Sequence, residues 1–288
     1  MQTLRVGSMG AVGLILLLTS GIGTAVGMDW SEVATPTPAP AIAFGGAARG
    51  CLAGASALPD SGAGYQVMRL SRNRYYGHPM LIDFIQQLAA AVHDRYGQGL
   101  LIGDLAQPRG GPMNSGHRSH QNGLDVDIWF LPAPADALSE AERESLSATS
   151  VVDTAGMAVD RTAWSTSDAG ILRMAAEFPQ VDRIFVNAAI KQELCRVSEG
   201  DRTWLARIRP WWAHDDHFHV RLRCPEGDGG CIDQQPPVPD GDGCDASLAW
   251  WFSPEAAEEL RIARAGPPPP RLTLDDLPEA CQGVLSGF

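Results

Sequence analysis

Five of the chain's seven histidines fall in two short stretches. SGHRSHQNGLDVDIWF, residues 115–130, holds His117 and His120 ahead of Asp125 and Asp127. WWAHDDHFHVRLRC, residues 211–224, holds His214, His217 and His219. Imidazole and carboxylate groups are ligands for divalent cations, and imidazole also moves protons near neutral pH. LDVDIWF alternates in a way that predicts a strand with Asp125, Asp127 and Trp129 on one face and Leu124, Val126 and Ile128 on the other. HFHVRLRC predicts a second strand, with His217, His219, Arg221 and Arg223 opposite Phe218, Val220 and Leu222. Two carboxylates on one strand face need water, a cation or hydrogen-bond donors. If the two strands are neighbours, His120, Asp127 and one histidine of the H-x-H pair converge. Two His and one carboxylate with a position left for water is the ligand set of a catalytic zinc site, where the water's pKa falls to about 7. H-x-H alone is a weak signal. H-x6-D leading into one strand, with H-x-H in another, is a more specific one.

The elements that must position these residues are legible in outline. Residues 81–96 carry Leu81, Ile82, Phe84, Ile85, Leu88, Ala89 and Val92 at helical spacing, and Pro79 suits the first helical position. His78 then reads as a turn or capping residue, and His93 lies on the polar side. Strands are expected from residue 65, over 99–107, 124–130, 181–187 and 217–224. Helices are expected over 139–147, 168–178 and 188–196. PRGGPMNSGHRSHQNG reads as a loop, residues 34–46 as an extended leader rich in Pro and Ala, and GPPPPRL as a polyproline spacer in a Pro-rich segment at about 264–274. The expected fold is α+β: one domain, residues 28–288, with a mixed or antiparallel central sheet flanked by helices.

Composition narrows the partners. Hydrophobic residues make up 44% of 288, enough for a substantial core, and the net charge of −12 supplies no cationic stripe for a nucleic acid. Residues 1–27 read as a signal peptide: Arg5, an apolar run from Ala11 to Ser20, and small residues before Gly27. That run is short of the ~20 apolar residues a membrane span needs, so no span is expected once it is cleaved. Six cysteines in an exported chain imply disulfides, with 15 possible pairings. Cys224 and Cys231 bracket a short turn, Cys51 and Cys281 lie near the two mature ends, and Cys195 with Cys244 would complete the set.

The chain resembles the LAS class of zinc peptidases, whose pattern is H-x6-D followed by H-x-H, and within it the penicillin-insensitive murein endopeptidases of the Gram-negative periplasm. The resemblance rests on RNRYYGHP, LIGDLAQPRGGP, GHRSHQNGLDVDIW, RIFVNAAIKQELC and IRPWWAHDDHFHVRLRCP, in that order, and covers residues 50–283. It implies a disulfide-stapled LAS-type fold and a Zn2+ cofactor on His120, Asp127 and His219. It places His217 and His214 as the catalytic pair that handles protons. Some relatives carry a glutamate where this chain has His214. His117 is a further metal-ligand candidate. Residues 150–162 offer Asp153 and Asp160 but no His, which speaks against a second zinc.

The resemblance further implies a peptidoglycan substrate, the D-alanyl–meso-diaminopimelyl cross-link, and a periplasmic location. Arg221 and Arg223 would meet a substrate carboxylate or form a salt bridge. Trp211 and Trp212 would pack in the core or wall a peptide site. The alternatives are a D,D-carboxypeptidase or dipeptidase of the same class, and a zinc-bearing cell-wall binding module without turnover. A penicillin-reactive S-x-x-K serine is excluded, because the single lysine is Lys191 and residue 188 is Ala.

Overall fold

The computed structural model describes residues 29–288 apart from Ser115. The signal peptide expected over residues 1–27 lies outside the described residues. In chain order the elements begin with β1 (Ile42–Gly46), β2 (Arg49–Ala53), β3 (Ser56–Ala57), β4 (Ser61–Gly62), β5 (Tyr65–Val67) and β6 (Tyr76–Gly77). Then come α1 (Pro79–Tyr96), β7 (Leu100–Ile102), β8 (Asp125–Trp129), α2 (Glu140–Ser145), α3 (Thr166–Glu177), β9 (Val181–Val186) and α4 (Ala188–Val197). β10 (Ile208–Pro210), β11 (His217–Leu222), α5 (Ala246–Trp250), α6 (Pro254–Ala265) and α7 (Ala280–Ser286) complete the chain.

Seven strands form the central sheet in the order β10-β9-β11-β8-β7-β5-β4. β9 with β10 and β5 with β7 run parallel, while β11 pairs antiparallel with both β8 and β9. The sheet is therefore mixed, as expected of the α+β class. One face is the core. Val126, Ile128, Phe218 and Val220 lie there, packed with α1 and α3. All seven apolar positions read from the helical spacing of α1 are buried. His78 caps that helix, its Nδ1 accepting from the Met80 N–H at 3.2 Å, and Pro79 occupies the first turn.

The three disulfides join Cys51 to Cys281, Cys195 to Cys244 and Cys224 to Cys231, the expected pairing. Residues 34–46 are not all leader. β1 pairs with β2 in a hairpin turned at Ala47–Ala48, with Gly45 of β1 in the left-handed region. Pro and Ala content hid the short alternating run Ile42–Gly46. α7 packs on β2 and closes a small second core of Trp30, Val33, Ala53, Leu277, Val284 and Leu285 around the Cys51–Cys281 bridge. α6 and α7 were not foreseen, since α6 buries only Ala256 and offers almost no apolar stripe to read. No helix among the described residues is long and apolar enough to cross a membrane.

Candidate metal centre

Register makes the site. Because β8 and β11 pair antiparallel, His219 lies opposite Asp127, Arg221 opposite Asp125, and His217 opposite Trp129. Opposite residues in such a pair sit with Cβ atoms about 5 Å apart, so these side chains must meet. The loop entering β8 then delivers His120 to the same place. The His219 Nδ1 is 3.0 Å, the His120 Nε2 3.4 Å and the His217 Nε2 3.7 Å from the Asp127 Oδ1. His117 stands at the rim, its Nδ1 3.4 Å from the Asp127 Oδ2 and its Nε2 2.9 Å from Asp104.

His120 is held in an unusual backbone state. It adopts φ 65°, in the left-handed region, as do Ala213 at 55° and His214 at 54°. Such residues cost of order 1–3 kcal/mol each and persist where their surroundings over-determine them. For His120 those surroundings are the β1–β2 hairpin: Gln121 N–H donates to Ala47, Gly50 N–H to Gln121, and the Asn122 amide to Gly45. For His214 they are the start of α4, where the Asn187 N–H donates to the His214 carbonyl at 2.8 Å.

Asp125 organises the cluster from behind. Fully buried, it accepts two bonds from the Arg221 guanidinium at 2.8 and 2.9 Å and one from the His120 N–H at 2.9 Å, and lies 3.4 Å from the His219 Nε2. Burial would raise its carboxyl, but Arg221 and His219 hold it well below the ordinary range. Asp127 behaves alike, with burial outweighed by His120 and His217. Burial opposes charge on His217 and His219, yet Asp127 and Asp216 raise the first and Asp125 with Asp127 the second. His214 goes the other way, pushed down to about 4 by burial and by His217 and His219. Asp104 falls to about 2: burial is overcome by His117, Arg72 and Arg74.

The donor set fits a cation. Both ring nitrogens of His120 and the Asp127 Oδ1 are buried without a hydrogen-bond partner, although His120 and Asp127 are within 3.4 Å. Distance without alignment is not a hydrogen bond, and such orphans are costly unless something else satisfies them. Ligand atoms at about 2.0–2.1 Å from a tetrahedral zinc are about 3.3 Å apart, close to the 3.0 and 3.4 Å separations seen here. Two overlapping groups have metal-holding geometry: His117 with His120 and Asp127, and His120 with Asp125 and His219. Asp125 is already bound by Arg221 and the His120 N–H, so it orients ligands rather than adding to them.

The structure thus brings together His117, His120, Asp127, His214, His217 and His219. Arg221 is not available to substrate: it is buried and spent on Asp125. Trp211 and Trp212 are not core residues. Trp211 is 52% exposed, and both join Trp250 and Trp251 in an aromatic cluster reaching Phe185 beside His214 and His219. Asp153 and Asp160 spend their carboxylates on turns at Met157 and Thr162. Sequence reasoning missed the roles of Asp125 and Asp104. The first was open to discovery, since Asp125 shares its strand face with Asp127 and Arg221 shares its own with His219. Nothing in LIGDLAQ marked the second.

A mixed sheet whose paired strands and entering loop gather imidazoles on one carboxylate is the frame of a hydrolase built around a cation site. The chain belongs to the penicillin-insensitive murein endopeptidase family, whose model matches residues 43–286, and so to the peptidases that act on peptidoglycan. A penicillin-insensitive murein endopeptidase of Klebsiella pneumoniae (strain 342) is 43% identical over 274 residues, covering 95% of this chain and 96% of the relative. Those of Salmonella arizonae and Citrobacter koseri are each 42% identical over 275 residues, covering 96% of this chain and 97% of the relative.

Proposed function

We propose that His120, Asp127 and His219 hold one zinc ion, and that the chain uses it to hydrolyse D-alanyl–meso-diaminopimelyl cross-links of murein. The observation that carries this reading is the convergence of the His120 Nε2 and the His219 Nδ1 on the Asp127 Oδ1, with the His120 ring and that oxygen buried without a hydrogen-bond partner. His117, at the rim, is a candidate further ligand. Residues 1–27 would direct export to the periplasm and be removed, in keeping with the three disulfides of the remaining chain.

Zinc bound at such a site supplies a Lewis acid for the scissile carbonyl and lowers the pKa of water toward 7. The chain's own residues do the rest. The His214 Nδ1 lies 2.7 Å from the Trp212 carbonyl, which can only accept, so Nδ1 carries the hydrogen. The His217 Nδ1 is likewise committed to Asp216 at 2.5 Å. In its neutral form each ring therefore presents Nε2 as an acceptor. The His214 ring, which burial keeps neutral, is able to take a proton from the attacking water, while His217, raised despite burial by Asp127 and Asp216, can give one to the leaving amine. Their rings lie 5.0 Å apart, so both serve one reacting centre. Asp125 fixes the His219 ring, and the strained turn at Ala213–His214 aims the second base. The single lysine, Lys191, is fully buried in α4. Its ammonium donates to the Leu205 and Asp242 carbonyls, and among the described residues no serine is bonded to it, in keeping with indifference to penicillin.

The test is mass spectrometry of purified cross-linked sacculi digested with and without chelator. The reading expects muropeptide dimers to become monomers, with activity lost on chelation and restored by zinc. Release of terminal D-alanine alone would assign a carboxypeptidase instead.

A further inference from the structure

We propose that Arg72 is a specificity-determining residue that binds the substrate carboxylate beside the scissile bond. The inference deepens the cross-link reading above and rests on it. Against the cluster lies a cavity of about 280 Å³ whose walls include Arg69, Arg72, Asp104, His117, Asp127 and His217. Arg69 and Arg72 share the lining with Asp104, Asp127 and Asp216, so the two guanidiniums are the cavity's permanent cations.

The segment carrying them is built for position. The single turn Leu70–Arg72 is flanked by Arg69 at φ 59° and Asn73 at φ 53°, both left-handed and neither glycine. Backbone of this kind persists only where contacts impose it, and the contacts are present. The Ser71 N–H and hydroxyl both donate to Glu144 of α2 at 2.9 and 2.7 Å, and the Arg69 guanidinium donates to the Leu146 carbonyl at 2.8 Å.

Arg72 is more than this scaffold requires. Its side chain is 47% exposed, and its hydrogen bond, from NH1, goes to the Asp104 Oδ2 at 3.1 Å. That oxygen also receives the Arg74 NH1 at 3.0 Å and the His117 Nε2 at 2.9 Å, so Asp104 is satisfied without it. A guanidinium has five donors in a planar fork matched to a carboxylate, and one is in use. The cavity's other carboxylates are engaged, Asp127 among the histidines and Asp216 by the His217 Nδ1. The diaminopimelyl residue whose amine is released carries a carboxylate on the same carbon as that amine. It must therefore lie next to the reacting centre, on whose edge Arg72 stands.

The experiment compares two synthetic cross-linked peptides that differ only in that group, carboxylate or carboxamide. They are assayed with the wild type, Arg72→Gln and Arg72→Lys, with zinc content measured for each. The wild type should prefer the carboxylate by about ten- to a hundredfold, the range for a charge-assisted bidentate pair. Arg72→Gln should lose that preference, mainly through KM, while cleaving the carboxamide within about threefold of wild type and keeping its zinc. Arg72→Lys, which keeps the charge but not the fork, should fall between. An equal loss on both substrates, or a wild type that does not discriminate, overturns the role of Arg72. A wild type that cleaves neither overturns the cross-link reading itself.

Discussion

Two regions of the molecule are held together by opposite means. At the β8–β11 end the disulfide Cys224–Cys231 lies just past β11 and joins none of the clustered histidines and aspartates. Position comes from strand register, a buried Asp125–Arg221 pair and left-handed residues braced by neighbouring elements. The C-terminal helices α5–α7, by contrast, contribute few buried side chains and are stapled by Cys51–Cys281 and Cys195–Cys244. The site needs accuracy, which packing and hydrogen bonds give. The C-terminal segments need only attachment, which a covalent link gives with little core. The hairpin β1–β2 joins the two, since one of its strands carries Cys51 while its turn braces the loop of His120.

This contrast can be broken at several points. The largest effect is expected for His120→Ala, which should lose zinc and cleavage together, by elemental analysis and muropeptide assay, while far-UV circular dichroism is retained. His217→Ala should keep zinc and lose cleavage by about a hundredfold or more, the scale of acid–base catalysis. Wild-type turnover in that variant would remove His217 from the chemistry. Asp125→Asn should lower zinc affinity about ten- to a hundredfold through the freed His219 ring, measured by competition with a chelating dye. Unchanged affinity would mean that register alone orients His219.

At the stapled end, verified reduction should lower stability with little change in zinc affinity of the protein that remains folded. Loop-closure entropy alone ranks Cys51–Cys281, 230 residues apart, at about 5 kcal/mol, and Cys224–Cys231, 7 apart, at about 2 kcal/mol. Unaltered melting after reduction would show that the staples are ornamental.

The smallest effect concerns Lys191, whose ammonium donates to the Leu205 and Asp242 carbonyls at 2.7 and 2.5 Å and thereby holds the segment carrying Cys244. Burial and Arg209 push it from its ordinary 10.5 to about 7. The folded state then binds fewer protons than the unfolded one between those values, so this group's contribution to stability increases as pH rises from about 7 towards 10. Melting of wild type should gain a few degrees over that range relative to Lys191→Met. Parallel curves for the two proteins would refute the assignment.

What the sequence disclosed follows the same division. The helix α1 and the strands β8 and β11 were legible because their periodicity is dictated by a one-sided core; H-x-H sits on β11, and H-x6-D runs from the entering loop into β8. Disulfide pairing was legible from position along the chain. The hairpin was missed because its strand begins in Pro- and Ala-rich sequence, and α6 because an exposed helix leaves no stripe. Core packing and a peptide-site wall stay open for Trp211 and Trp212 in the sequence because side-chain type alone does not report burial; in the fold they stand outside the core, just past β10. Asp104 was invisible because its partners, Arg72, Arg74 and His117, come from three-dimensional neighbours about 13 to 32 residues away.

The most direct measurement is zinc stoichiometry of the purified mature protein, read beside that of His120→Ala, Asp127→Ala and His219→Ala. One zinc per wild-type chain and none in each folded variant is the predicted result. A wild type that takes up no transition metal while still opening murein cross-links would contradict the account at its root.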